Sequence, residues 1–211
     1  MRLPFSHDEF LDVFGAYNAQ WWPVALVLWF GTAVIAWRWW RGRTANAPLT
    51  MSLLAVHWAW AGIAYHWLHF RAINPAAALF AVAFVLQAGL FSWLAIVTRA
   101  RVTRQRGMRG AFSVGLVGFG LLYPAIGLAL GLEYPRMPVF AVPCPTTLVT
   151  AGLLLATREA PRILSAIPLL WAAIGSSAAI MLGIRADLAL IVAGLALLVD
   201  AIAPSVLGPV R

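Results

Sequence analysis

Residues 75–98 have the sequence PAAALFAVAFVLQAGLFSWLAIVT, and residues 99–109, which follow, are RARVTRQRGMR. The first stretch carries no charge, and Gln87 is its one amide. It exceeds the roughly 20 apolar residues that a helix needs to cross a bilayer core. The second stretch carries five arginines and no acidic residue. Because cytoplasmic loops of membrane proteins are enriched in Arg and Lys, the two stretches together predict a transmembrane helix that ends at the cytoplasm.

The same alternation of apolar stretch and polar loop extends along the whole chain. Of its 211 residues, 63% are hydrophobic and 10% are charged, whereas soluble domains average about 25% charged residues. This excludes an ordinary soluble domain. We expect an all-α fold, a polytopic membrane helical bundle that forms one transmembrane domain over residues 1–211. Seven spans are predicted, at residues 21–40, 49–70, 75–98, 112–132, 138–157, 161–183 and 186–207.

A polar segment precedes the first span. Ser6 with Glu9 three residues later is a capping-box pattern, and Phe10, Phe14 and Tyr17 recur at helical spacing. We therefore predict a short N-terminal interfacial helix, separate from the first span. A frayed acidic tail is the alternative, because a short helix is marginal in water without something to pack against.

The arginines orient the predicted spans. Eleven of the 15 fall on one side, namely Arg38, Arg41, Arg43, Arg99, Arg101, Arg104, Arg106, Arg109, Arg158, Arg162 and Arg211. The other four are Arg2, Arg71, Arg136 and Arg185. The positive-inside rule then places the N-terminus outside and the C-terminus in the cytoplasm. The net charge of +8 thus follows from topology in a lipid bilayer and does not indicate nucleic acid as a partner.

The fifth span contains the motif Pro143-Cys144-Pro145-Thr146-Thr147. Proline removes a backbone donor and disfavours helix at the residue before it. We expect this span to be broken by proline into an extended segment and a short helix from about Thr146. The start of that helix would aim N–H groups and two threonine hydroxyls inward, which suits an anionic or carbonyl-bearing ligand. A loop merely packed against its neighbours is the alternative.

Other polar groups converge on the same end of the bundle. In the second span, a stripe of small and polar residues from Ser52 to His66 and His69 is expected to face the interior, with Trp58 toward lipid. The predicted ligand-binding residues at this level are His66, Asn74, Cys144, Thr146, Thr147 and Asp187. His66, His69 and Cys144 are candidate metal ligands, although two histidines alone do not make a site.

A second group lies nearer the cytoplasm. Asp200 is the only carboxylate well inside a predicted span, and His57 lies at a similar depth in the second span. One hypothesis is that the two meet as a proton-coupling pair. The alternative is a purely structural Asp200, protonated and hydrogen-bonded to one neighbour. Pro204 cannot donate to the carbonyl of Asp200, so a local opening of the helix should accompany the charge. Gln87 is interpreted as a hydrogen-bonding contact between helices.

The fourth span is rich in glycine. Gly127 and Gly131 form a small-xxx-small pair, and Gly115, Gly118 and Gly120 add a flat surface. Close approach of a neighbouring helix is the expected consequence.

Four stretches resemble an uncharacterised bacterial integral membrane family, domain of unknown function 6064. They are residues 10–18 (FLDVFGAYN), 65–77 (YHWLHFRAINPAA), 134–147 (YPRMPVFAVPCPTT) and 167–179 (IPLLWAAIGSSAA). The resemblance implies a polytopic protein, and the expected location is the bacterial cytoplasmic (inner) membrane. It also implies that His66, Asn74, Pro143, Cys144, Pro145, Thr146 and Thr147 occupy motif positions of the family. It implies no activity, since the family is functionally unassigned.

Three classes of function remain open. A small-solute or ion transporter would use the broken fifth span and Asp200 on opposite halves of a pathway. An accessory subunit of a larger membrane complex, or a homo-oligomer, needs only apolar helix faces. A metal-dependent membrane enzyme ranks last, since the sequence lacks GxSxG and HExxH motifs and defines no cofactor. The absence of Lys further excludes a Schiff base to retinal or pyridoxal phosphate.

Overall fold

The computed structural model describes residues 4–42, 46–97, 101–158 and 160–208. They form an all-helical fold, 81% helix, with seven α-helices, which confirms the all-α prediction. In chain order the helices are α1 (His7–Trp40), α2 (Ala47–Trp60), α3 (Ala77–Val97), α4 (Gly107–Ala129), α5 (Pro143–Ala156), α6 (Ala166–Leu182) and α7 (Ala189–Ile202). Four arginines of the topology argument lie outside the described residues: Arg2, Arg43, Arg99 and Arg211.

One short antiparallel pairing ties two loops together. Strand β1 (Arg101–Val102) follows α3, and strand β2 (Thr157–Arg158) follows α5. The Thr103 N–H also donates to the Ala156 carbonyl at 3.0 Å. The arginine-rich loop is therefore fixed against the end of α5.

Helix α1 is a single continuous helix of 34 residues, so the prediction of a separate interfacial helix is wrong. Its predicted start is confirmed: Ser6 N–H donates to the Glu9 carboxylate at 2.7 Å, and Glu9 N–H donates to the Ser6 hydroxyl at 3.2 Å. The helix passes through Pro23, which removes one backbone donor without ending the helix. Phe10 and Phe14 are buried against other elements. This packing stabilises the first turns of α1, which we expected to form a separate helix.

Helix α2 continues directly into a π-helical segment, Ala61–Trp67. A π turn closes with i to i+5 hydrogen bonds and so holds more residues than an α turn, which rotates the side chains that follow. The predicted interior stripe is right only in part, and its errors lie in α2, before the π-helical segment. Gly62 and His66 are buried as expected, but Ser52 is exposed and Trp58, expected toward lipid, is fully buried.

Helix α4 begins five residues before the predicted start of the fourth span. Gly107 has a φ of +65°, a left-handed conformation that glycine adopts without steric cost, and it turns the loop into the helix. Arg109, predicted to lie in a cytoplasmic loop, is consequently inside the first turn of α4 and only 2% exposed.

Helix α5 lies at the centre of the fold. All of its 14 residues are buried, whereas the other helices all expose one face. It begins at Pro143 after the non-helical residues 138–142. The predicted non-helical entry is therefore found, but at residues 138–142: Pro143–Thr147, where the break was expected, already belong to the helix, which starts three residues before Thr146.

The most extensive contact between helices joins α4 and α5. A Cβ atom added to Gly152 would lie 2.8 Å from the Ser113 carbonyl oxygen, and one added to Gly120 would lie 2.6 Å from Val149 Cγ2. The two backbones thus approach too closely for any larger side chain at either glycine. Gly118, also predicted at a helix contact, faces open space.

Short 3-10 turns extend α6 and α7. Arg162–Ser165 precedes α6, Arg185–Leu188 precedes α7, and Pro204–Leu207 follows α7. Helix α7 stops at Ile202, two residues before Pro204. The predicted interruption of the helix beside this proline is confirmed.

Among the described residues, five helical stretches are long and apolar enough to cross a membrane. They are His7–Trp40, Ala47–Ala72, Ala77–Val97, Gly107–Ala129 and Arg162–Leu182. Helix α5 is apolar but has only 14 residues, or about 21 Å at the helical rise. The predicted count of seven spans stays a prediction.

Candidate functional site

The described residues enclose a cavity of about 160 Å³, which we call the Cys144 cavity. The start of α1, the end of the second predicted span, the first turns of α3 and α5, the middle of α6 and the turn before α7 all contribute to it. Its aromatic side chains are Phe5, Phe10, Phe14, Tyr65, Phe70, Phe80 and Trp171, and its polar side chains are Asn74, Cys144, Ser177 and Asp187. Three predicted ligand residues, distant in sequence, are thus brought together: Asn74, Cys144 and Asp187.

Asp187 provides the carboxylate of this cavity. It lies in the 3-10 turn Arg185–Leu188 and is 4% exposed. The Tyr123 hydroxyl of α4 donates a hydrogen bond to Asp187 Oδ1, and the Cys144 thiol contacts the same carboxyl group. None of the ion pairs found among the described residues involves Asp187. Sequence analysis missed Tyr123, although a phenol inside an apolar span is itself a signal that a hydrogen-bond partner lies nearby.

The prolines beside Cys144 start a helix and do not interrupt one. Pro143 is the first residue of α5, after Val142 as N-cap, and the first N–H groups of a helix have no acceptor within it. Because Pro143 and Pro145 carry no N–H, few donors remain at this helix end. The Thr147 hydroxyl donates to the Pro143 carbonyl at 2.9 Å, and the Thr146 hydroxyl is buried without a partner. Neither threonine lines the described cavity, so the predicted anion-binding arrangement is not formed there.

His66 lies behind the aromatic wall of the cavity. Its ring is fully buried, with centroid distances of 4.9 Å to Trp171, 5.6 Å to Phe80 and 4.7 Å to Phe84. Neither ring nitrogen has a hydrogen-bond partner. With further ring contacts to Tyr65 and Phe70, His66 packs against four residues of the wall and is not itself part of the lining.

The candidate metal ligands are not assembled into a centre. His69 Nδ1 lies 2.7 Å from the Ala64 carbonyl oxygen, and its ring packs edge-on against Tyr17 at 5.7 Å. In the ranges that the structure describes, no group of three or more His, Cys, Asp or Glu could hold a metal ion. His66, His69 and Cys144 thus form no three-ligand site there.

Helix α1 holds the loop that leads into α5. The Tyr17 hydroxyl donates to the Ala141 carbonyl at 3.2 Å, and the Asn18 amide donates to the carbonyls of Pro135 and Met137 at 2.7 and 2.8 Å. All of these contacts connect residues more than 100 positions apart. They fix the position of the first turn of α5, and with it the position of Cys144.

The surface of the same loop carries an ion pair. Arg136 Nε lies 2.6 Å from Asp12 Oδ1, and a longer contact of 3.3 Å joins Arg136 to Asp8. The hydrogen bond and charge of Asp12 raise the pKa of the Arg136 guanidinium. All three side chains are exposed, so the pair adds little stability by itself.

A second polar site connects α4 to the end of α7. The Arg109 guanidinium forms a salt bridge with the Asp200 carboxylate and donates to the Pro204 carbonyl at 3.5 Å. The expected pairing of Asp200 with His57 is not formed: His57 Nε2 lies 3.0 Å from the Thr32 hydroxyl. The reason is the early start of α4, which buries an arginine within reach of the acid.

In the part of the chain that the structure describes, these features define a class: an all-helical protein whose long apolar helices are compatible with a membrane location, with an aromatic-lined cavity that contains a carboxylate and an ion pair whose arginine is buried. The model of one family, described as Family of unknown function (DUF6064), matches residues 7–206. The chain belongs to that family, as the sequence resemblance predicted. Comparison with curated proteins gives no match, and neither does comparison with solved structures.

Proposed function

We propose that the chain is a seven-span protein of the bacterial inner membrane, with its N-terminus outside, that transports a small solute or ion. The whole chain forms one transmembrane domain in this proposal. The Cys144 cavity is its outer solute site, and the pair of Arg109 and Asp200 is its inner polar site.

The outward faces of the helices support a lipid environment. On α3 the exposed side chains include Leu79, Val82, Leu86, Trp93 and Ile96, the last of them 84% exposed. These positions recur at helical spacing, so they form one continuous apolar stripe. A soluble helix would place charged residues there, and a patch of this kind is stable only against lipid or another protein.

Arginine and tryptophan side chains near the helix ends also fit the proposed position of the helices across the membrane. Arg41 lies over the Trp37 ring at 5.0 Å, and Arg71 lies over the Trp67 ring at 3.9 Å. Tryptophan prefers the headgroup region, where its ring is half in lipid and half in water. The two pairs would mark the inner and the outer membrane surface.

The observation that carries the transport proposal is the placement of two polar sites on the same two helices. Helix α4 carries Arg109 near its start and Tyr123 fourteen residues later, about 21 Å along the helix. The chain around α7 carries Asp187 at one end and Asp200 at the other. Ionisable residues inside membrane segments mark solute or proton pathways. A pathway between the two sites would follow the contact of α4, α5 and α7.

An apolar groove favours a second candidate function, that of an accessory subunit. Side chains of α1 and α4, with Phe140, surround an open volume of about 450 Å³ on the outer surface of the described helices. Leu26 and Phe30 on α1 and Leu122 on α4 are exposed there. A helix of another membrane protein would cover them. This candidate needs no ligand in the Cys144 cavity.

Uptake into proteoliposomes tests the transport proposal. The purified chain is reconstituted, and entry of labelled glycerol, acetate and choline is compared with entry into protein-free liposomes. At least one probe should enter faster with protein. Where the probe that enters is choline, Asp187→Asn should slow its entry about tenfold, because one charge-assisted contact is worth about 1.5–3 kcal/mol.

Glu133→Gln is the matched control, since Glu133 is an exposed acid outside the cavity. Its uptake should equal that of the wild type. If folded protein carries none of the three probes faster than empty liposomes, the transport proposal fails and the subunit proposal takes its place.

A further inference from the structure

The walls of the Cys144 cavity are rich in aromatic side chains. Seven rings line about 160 Å³. They also pack on one another: Phe14 stacks on Tyr65 at 5.2 Å, and Phe80 meets Trp171 edge-on at 5.4 Å. The faces and edges of these rings thus form a connected shell. An aromatic face carries negative partial charge and attracts cations.

Among the residues that the structure describes, no cationic side chain pairs with Asp187, the carboxylate that lines the cavity. The salt bridges of the described residues involve Arg109 and Arg136, and neither reaches Asp187. Its contacts are the hydroxyl of Tyr123 and the thiol of Cys144, which are neutral donors. A buried carboxylate without a counter-charge is costly, and a cation beside it relieves that cost.

The size of the cavity limits the cation. Engineered cavities of about 150 Å³ accept a molecule as large as benzene, so this one has room for roughly five to seven heavy atoms. A hydrated metal ion would find few oxygen ligands here, because most of the lining is apolar. An alkylated ammonium group carries the positive charge that Asp187 lacks and an apolar surface that the rings accept.

We propose that the Cys144 cavity binds a small organic ammonium ion, of the size of tetramethylammonium or choline, with Asp187 as counter-charge and the surrounding rings as an aromatic cage. This rests on the proposed role of the cavity as the solute site and names the class of solute. Trp171 and Phe80 contribute ring surface, and Asn74 offers an amide to a polar substituent such as a hydroxyl.

Equilibrium binding to the full-length chain in detergent tests this inference without any transport step. Titration calorimetry is performed with choline and with 3,3-dimethylbutan-1-ol, which has the same shape but no charge. Choline should bind at least about tenfold more tightly than the neutral alcohol. Potassium chloride at the same concentration should give no binding heat.

Two variants assign the contacts. Asp187→Asn should weaken choline binding by at least about tenfold and leave the alcohol unchanged. Phe80→Leu keeps an apolar side chain while removing one ring, and it should weaken choline severalfold more than it weakens the alcohol. Glu133→Gln, an exposed acid away from the cavity, should bind like the wild type.

Equal binding of choline and the alcohol would overturn the inference and leave a neutral apolar site. Absence of choline binding to folded wild-type protein would overturn it as well. Choline binding without uptake would contradict only the transport proposal, whereas uptake of glycerol or acetate without choline binding would contradict only the solute class.

Discussion

Single buried polar residues are where sequence and structure can be compared most directly. Gln87 was interpreted as a contact between helices, and its amide donates to the Leu164 carbonyl at 3.0 Å. Asp200 was identified as an acid inside a span, but its partner was not. The sequence shows which side chain needs a partner; the partner depends on helix rotation and on where each helix starts.

The pair of Arg109 and Asp200 leads to a prediction about stability. Asp200→Asn leaves the Arg109 guanidinium, 2% exposed, without its counter-charge. Loss of one member of a buried pair costs about 3–5 kcal/mol, and the 26% exposure of Asp200 places the expected loss at the lower end of that range. Thermal unfolding in detergent measures it.

Two comparisons separate this effect from a general sensitivity to mutation. The double variant Arg109→Met with Asp200→Leu removes both charges and should recover most of the lost stability. Asp12→Asn breaks the exposed pair with Arg136 and should leave the midpoint within experimental scatter. A stable Asp200→Asn single variant would show that the pair does not hold α7 against α4.

At the scale of helices, the sequence predicted the apolar α-helices but not their exact starts, their rotation or the short elements between them. The break before α5 followed from Pro143 and Pro145, because proline acts on its own backbone neighbours. The π-helical segment Ala61–Trp67 could not be predicted, since it has no proline or other local signal. The continuity of α1 from the N-terminal segment into the span that begins at residue 21 was missed because it depends on the burial of Phe10 and Phe14 against other elements, which the local sequence does not show.

The contact of α4 with α5 gives a prediction with a control in the same pair of helices. Gly152→Ala would place a Cβ atom 2.7 Å from Val117 Cγ2 and 2.8 Å from a backbone oxygen, so the helices must separate. Overpacking of this kind costs about 1–3 kcal/mol. Gly118→Ala meets no atom within 4 Å and should stabilise by up to about 1 kcal/mol through helix propensity.

The two variants are compared by thermal unfolding in the same detergent. A melting temperature for Gly152→Ala equal to or above that of Gly118→Ala would contradict the close packing of α5. Gly152 itself was missed by the sequence analysis, which identified the glycines of α4 alone. The face of α4 that meets α5 carries Gly120 but not Gly118. Telling the two apart requires knowing how α4 is rotated about its axis, which the sequence does not give.

For the whole molecule, composition was enough to predict the all-α fold, and the resemblance of four stretches predicted the family; the structure adds how distant polar residues meet. Asn74, Cys144 and Asp187 converge on one cavity although they come from three separate segments. Their aromatic neighbours from α1 could not be assigned to this cavity, because the N-terminal segment was expected to lie apart from the bundle. The polar residues of the candidate site could thus be predicted from the sequence, whereas the aromatic residues that line it could not.

The central claim is a bundle of seven spans with an outward N-terminus. Cysteine labelling of successive loops from either side of the membrane tests that claim most directly. Single cysteines are introduced at exposed positions, and a membrane-impermeant maleimide is added to intact and to permeabilised cells. Wild type is the control because Cys144 is buried. The positions expected to react from outside are Asp8, Arg71, Glu133 and Arg185, and those expected to react only after permeabilisation are Gly42, Arg106, Arg162 and Ser205.

The decisive pair is Arg162 and Arg185, which lie on either side of α6. Seven spans place Arg162 inside and Arg185 outside. If only the five long apolar stretches cross the membrane, α5 and α7 do not, and the two positions exchange sides. Labelling of Arg162→Cys in intact cells, with Arg185→Cys labelled only after permeabilisation, would contradict the seven-span account.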